Sequence, residues 1–148
     1  MTLQDWKAVG PAYAQMMVKT SQALAQNLQN RGVNIYAADK GFTTSHQFAI
    51  IAAPYGGGQT AARRMAEAGL LACGIGLPIA AVEGDLNGLR IGTPEIVRLG
   101  MKVEHMDQLA DFIARSLDAS VDSLSVKSEV TQWRKQFSGV HYTVDLPN

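Results

Sequence analysis

The sequence predicts an α+β fold, a small mixed or antiparallel sheet covered by helices on one face. Three observations carry that prediction. Apolar residues recur at spacings of three, four and seven in long stretches at both ends, which is the signature of amphipathic helices. Between them lie short runs that alternate or are continuously apolar, bounded by Gly and Pro, which read as strands. The resulting order of helix, two strands, helix, strands and helices sets a small sheet among its covering helices. With 148 residues, 47% of them apolar and 18% charged, the chain is read as a single domain, 1–148, able to bury its own core.

Residues 1–12 form a leader without a strong pattern. Pro11 suits the first turn of a helix, where its missing N–H costs nothing. A long connecting helix, 13–31, follows, with Tyr13, Met16, Met17, Leu24 and Leu28 in one stripe and Gly32 as the residue that ends it. The α+β core, 33–118, opens with Val33 to Ala37, which alternates like a short strand. His46 to Ala53 reads as a more buried strand, closed by Pro54 and the run Gly56-Gly57-Gly58. Gln59 to Ala68 is a short alanine-rich helix stopped by Gly69. Leu70 to Ala72 reads as a strand leading into Gly74–Pro78, a segment too broken by Gly and Pro to be regular. Asp85 to Gly88 signals a turn into a strand at Leu89-Arg90-Ile91. Thr93 as N-cap and Pro94 behind it start a short helix through Leu99. Val103, Met106, Ala110, Ile113 and Leu117 step as a third long helix. The C-terminal helix and tail, 120–148, place Val126, Val130, Trp133 and Phe137 on one side of a helix over Ser125–Phe137. From Ser138 the tail alternates Val140, Tyr142 and Val144, as a strand or as an arm that docks elsewhere. There is no internal repeat.

Composition narrows the function. A formal charge of +0 with no Lys/Arg cluster argues against nucleic acid as a partner. Cys73 is the only cysteine, so an internal disulfide and a cysteine-built metal site are excluded, as suits a reducing cytoplasm. The N-terminus lacks the basic-then-apolar pattern of a signal peptide, and no apolar run reaches membrane-spanning length. The expectation is a cytoplasmic domain with no membrane partner.

Three features could carry chemistry. Arg90, behind a turn and between glycines, could offer a carboxylate two parallel hydrogen bonds; a surface arginine at a strand edge is the commoner alternative. The run Gly56-Gly57-Gly58 precedes a helix, where backbone N–H groups can bind phosphate, but it lacks the P-loop ending and the dinucleotide spacing. It reads better as a flexible helix entry. His46, His105 and His141 are scattered, with His105 on the predicted polar side of its helix and His46 as a structural, hydrogen-bonded histidine. No metal site and no catalytic triad is expected.

Beyond pattern, Leu89-Arg90-Ile91-Gly92-Thr93-Pro94, followed by Arg98 and Gly100, is similar to the G-[IL]-R-[IL]-G-T-P…R-G segment of serine hydroxymethyltransferases. Thr43-Thr44-Ser45-His46 resembles the family's T-D-N-H, and Glu67-Ala68-Gly69-Leu70 its E-x-A-G-[IL]. The resemblance runs roughly from Tyr13 to Phe137 and points to the small C-terminal domain of the aspartate-aminotransferase-like, pyridoxal-phosphate-dependent fold. It implies that Arg90 binds the α-carboxylate of a glycine- or serine-like substrate. It also implies pyridoxal phosphate as cofactor, held mainly by a large domain or subunit whose lysine segment this sequence lacks. The chain alone is then expected neither to hold the cofactor covalently nor to turn over substrate, and an oligomer is expected. Cys73 and Ile75 stand where folate-using members carry asparagines, which argues against tetrahydrofolate. The readings are therefore part of a serine hydroxymethyltransferase-like enzyme, part of a folate-independent aldolase, transaldolase or α-methylserine-type enzyme, or a non-catalytic binding or assembly module.

Overall fold

The computed structural model of the protein describes residues 3–144, so residues 1–2 of the leader and 145–148 of the tail lie outside the described residues. Among the described residues, five α-helices pack with a three-stranded antiparallel sheet. Helix α1 spans Leu3–Asn30, β1 Gln47–Ile51, α2 Gly58–Glu67, β2 Cys73–Ile75, β3 Gly88–Gly92, α3 Pro94–Arg98, α4 Met106–Leu117 and α5 Ser123–Arg134. The strand order is β1-β3-β2, both pairings antiparallel, with β3 central. No helix among the described residues is long and apolar enough to cross a membrane.

Strand geometry sends alternate side chains to opposite faces. Leu89 and Ile91 of β3, opposite Ile50 and Phe48 of β1, all point inward and are buried. Against them pack Leu24 and Leu28 of α1, Ala61 and Met65 of α2, and Leu109 and Ile113 of α4, in one cluster. The helices thus cover one face of the sheet, and the other face carries Arg90.

Several elements depart from the sequence reading. The leader is helical from Leu3, so Pro11 lies inside α1 and not at its first turn. A ring pair within the helix and a contact from outside it hold this extension: Trp6 packs on Tyr13, with ring centroids 5.8 Å apart, and the Asp5 carboxylate accepts from Val144 N–H. Val33 to Ala37 forms no full strand. Val33 and Ile35 do alternate inward, but only the bridge Ile35–Ile50 forms before Ala37 (φ 56°) turns the chain away. The edge strand near residue 70 begins later than expected, at Cys73, and runs into the segment read as irregular. Glycine is what lets it pair there. A Cβ on Gly58, at the start of α2, would lie 2.0 Å from Gly88 O and 3.0 Å from Gly74 Cα, so the helix start sits directly on β2 and β3.

The third long helix begins at Met106, behind a single 3₁₀ turn at Val103–His105. His105 is half-buried. Its Nδ1 accepts from Lys102 N–H at 2.9 Å, and its ring meets Phe137 edge-on at 4.8 Å. The described tail is a docked arm rather than a strand. His141 N–H donates to Arg98 O at 2.8 Å, and Tyr142 stacks on Tyr13 with centroids 5.0 Å apart.

Candidate functional site: the outer face around Arg90

The inward pointing of Leu89 and Ile91 forces Arg90 outward. Directly across the sheet it faces Ala49 on β1 and Cys73 on β2, while Gly88 faces Ile75. The two positions that depart from the folate pattern therefore share the Arg90 face, one of them alongside the arginine itself. Arg90 is exposed and has no hydrogen-bond or ion-pair partner among the described residues. It lines an open depression of about 390 Å³ with His46, Gln47, Cys73, Gly92 and Pro94. An unpaired guanidinium in such a position can take a planar anion through two parallel hydrogen bonds.

The backbone beneath this face is pinned. Thr93 occupies the N-cap position of α3 but its side chain does not cap the helix. Fully buried, it donates instead to the Met17 carbonyl on α1 at 2.8 Å and approaches the His46 carbonyl at 3.3 Å. Thr93 N–H also bonds His46 O at 3.0 Å. Tyr13 adds a second tie from α1, its hydroxyl donating to Pro94 O at 2.7 Å, and burial raises its pKa so that it stays a donor. The Tyr13 hydroxyl and the Met17 carbonyl of α1 thus both tie down the exit of the strand that bears Arg90.

At the other end of β3, Asn87 is buried and makes four hydrogen bonds to one loop. Its Oδ1 accepts from Leu77 N–H at 2.7 Å, and its Nδ2 donates to the carbonyls of Leu77, Ile79 and Ala80 at 2.9, 3.1 and 3.1 Å. Sequence reading treated Asn87-Gly88 as a turn signal and missed this clamp. The clue in the sequence was an amide in front of a glycine, and the partners lie seven to ten residues back.

The glycine run does not open onto a free phosphate cradle. The start of α2 is occupied by Asp85, whose carboxylate accepts from Gln59 N–H and Thr60 N–H, both at 2.9 Å, and from the Thr60 hydroxyl at 2.8 Å. Those bonds, that from Gln59 first, hold the Asp85 carboxyl down at about 2. His46, read as a hydrogen-bonded structural residue, has an exposed side chain at the rim of the Arg90 depression. The three histidines stay apart from any metal-sized cluster: no group of three or more His, Cys, Asp or Glu that could hold a metal occurs among the described residues.

No family model matches the chain. Known proteins do. An α-methylserine aldolase of Variovorax paradoxus is 56% identical over 96% of this chain, and one of a Ralstonia species 51% identical over 96%. Serine hydroxymethyltransferase of Methanocella arvoryzae is 35% identical over 98% of it. The chain belongs to the serine hydroxymethyltransferase-like family. It spans only about a third of the length of these relatives, 32% of the aldolases and 35% of the hydroxymethyltransferase, as their C-terminal domain. The fold agrees: the crystal structure of L-threonine transaldolase from Pseudomonas fluorescens matches 95% of this chain and 32% of its own, with a TM-score of 0.81 at 22% identity. This hydroxymethyltransferase-like domain accordingly has the α+β fold expected of the small domain of fold-type I pyridoxal-phosphate enzymes.

Proposed function

We propose that this domain is the carboxylate-binding part of a pyridoxal-phosphate-dependent aldol enzyme acting on β-hydroxy amino acids, of the α-methylserine aldolase kind. Arg90 takes the substrate α-carboxylate, and a cofactor-binding large domain, on the same polypeptide or a partner, completes the site. The observation that carries this reading is the unpaired guanidinium of Arg90 beside Cys73 on an open sheet face.

The residues present fit one end of such a substrate and not the cofactor's covalent seat. Lys7, Lys19, Lys40, Lys102, Lys127 and Lys135 are all exposed, and none lines the Arg90 depression. That supports a cofactor lysine elsewhere. Pyridoxal phosphate supplies an electron sink for bond breaking at Cα. Arg90 would hold the carboxylate in two-point contact, and the orientation it imposes selects which Cα bond is aligned to break. His46 and Gln47 are the polar neighbours able to hydrogen-bond the same ligand. Cleavage of 2-methylserine breaks the Cα–Cβ bond, takes the proton from the β-hydroxyl and returns a proton to Cα, leaving alanine and formaldehyde.

Folate independence is supported by side-chain chemistry. A thiol and an aliphatic chain stand at Cys73 and Ile75, and neither replaces the amide hydrogen bonds of asparagine. The test is an assay of the completed enzyme with 2-methylserine and with serine, with and without tetrahydrofolate. Formaldehyde released from 2-methylserine at a rate indifferent to folate is expected. Turnover of serine only in the presence of tetrahydrofolate would assign a hydroxymethyltransferase instead.

A further inference from the structure

Arg90 is a long, flexible cation on an open face, yet it lines the depression toward Gly92 and Pro94 and not the loop at the Gly88 end. The geometry points to a reason: Asn87 and Leu77 are positioning residues for Arg90. Alternate residues of a strand share a face about 7 Å apart, so Gly88 and Arg90 are neighbours on the outer side. A Cβ on Gly88 would lie 2.6 Å from Leu77 Cγ and 2.7 Å from its Cδ1. Leu77 therefore fills the space over Gly88 and closes that end of the face. It is held there by the four hydrogen bonds of Asn87 to residues 77–80, made at the residue just before β3 begins.

With Leu77 seated, the arginine cannot fold back along the strand over Gly88. Its guanidinium is left facing the His46–Pro94 side, from which a carboxylate must arrive. The stretch from Leu70 to Val82, which includes Leu77, carries no charged or amide side chain to compete for the guanidinium. This inference rests on the reading of Arg90 as the carboxylate anchor and adds what orders it.

The test is a double-mutant cycle in the enzyme completed by its cofactor-binding domain. Leu77→Ala and Asn87→Ala should each raise KM for the amino-acid substrate about tenfold, the scale of an altered apolar contact, with kcat little changed. Leu77→Met, which refills the space, should restore KM. In an Arg90→Ala background neither substitution should add a further effect, because both act through the arginine. Hydrogen exchange at the Leu77 amide shows whether Asn87→Ala has released the loop; if that variant does not fold, Leu77→Ala alone decides. Unchanged KM in Leu77→Ala, or effects that persist in full without Arg90, would overturn the positioning role. An Arg90→Ala enzyme that binds its substrate normally would instead overturn the parent reading.

Discussion

Thr93 and Asp85 show how single polar side chains hold this domain. The Thr93 hydroxyl reaches the Met17 carbonyl from a fully buried position. Thr93→Val keeps the volume but removes this donor, and because the Met17 carbonyl still accepts from the Thr20 hydroxyl the loss is that of one hydrogen bond, about 0.5–1.5 kcal/mol in urea unfolding. An unchanged midpoint would show that the tie contributes nothing. For Asp85 the folded pKa lies below its ordinary value, falling from 3.8 to about 2. Its contribution to stability is therefore complete above pH 3.8 and is lost as the pH falls through about 2. Asp118 and Glu129 are lowered as well, by Ser120 and Arg115 respectively, and steepen the same acid limb. Asp85→Asn should flatten that limb when unfolding is followed from neutral pH into acid. Equal slopes for both proteins would remove Asp85 from it.

At the scale of elements, α1 is the piece whose extent sequence pattern misjudged. Proline inside a helix removes one hydrogen bond and crowds the preceding turn, and this is why the helix was expected to begin near Pro11. The extension survives because Trp6 packs on Tyr13 within the helix and the arm docks on it from outside through Tyr142 and Val144. Pro11→Ala should restore the missing donor and raise stability by roughly 1–2 kcal/mol, less than the full proline penalty because the unfolded chain also gains freedom. A lowered melting temperature would contradict this. Tyr142→Ala should cost about 1 kcal/mol and speed amide exchange in the first turns of α1. Unaltered exchange there would mean that the arm does not secure the helix. Helical periodicity was legible for α4 and α5 because each has one buried stripe, and α2 was legible from its alanines. Pairing was less so. Ile35 alternates correctly yet forms one bridge, and Cys73–Ile75 pairs despite its glycine, since both outcomes depend on what approaches from elsewhere in the chain.

For the whole molecule, the α+β layer and its single covered face were readable from the order of patterns, and the strand that bears Arg90 from the turn before it. Its surroundings were not. That Cys73 lies opposite Arg90 is a fact of strand register, which joins positions seventeen residues apart, and the Asn87 clamp depends on a loop folding back over Gly88. The histidine rim was misjudged for a related reason: His46 lies in the bend just before β1 and its side chain is exposed. The account of the molecule as half of a carboxylate-binding site therefore stands on Arg90. Its most direct test is to titrate the enzyme, completed with its cofactor-binding domain, with 2-methylserine while following the visible absorbance of pyridoxal phosphate, for wild type and for Arg90→Ala. Loss of a charge-assisted contact should weaken the apparent affinity roughly ten- to hundredfold, with Arg90→Lys between the two. Superimposable titration curves for wild type and Arg90→Ala would contradict the account.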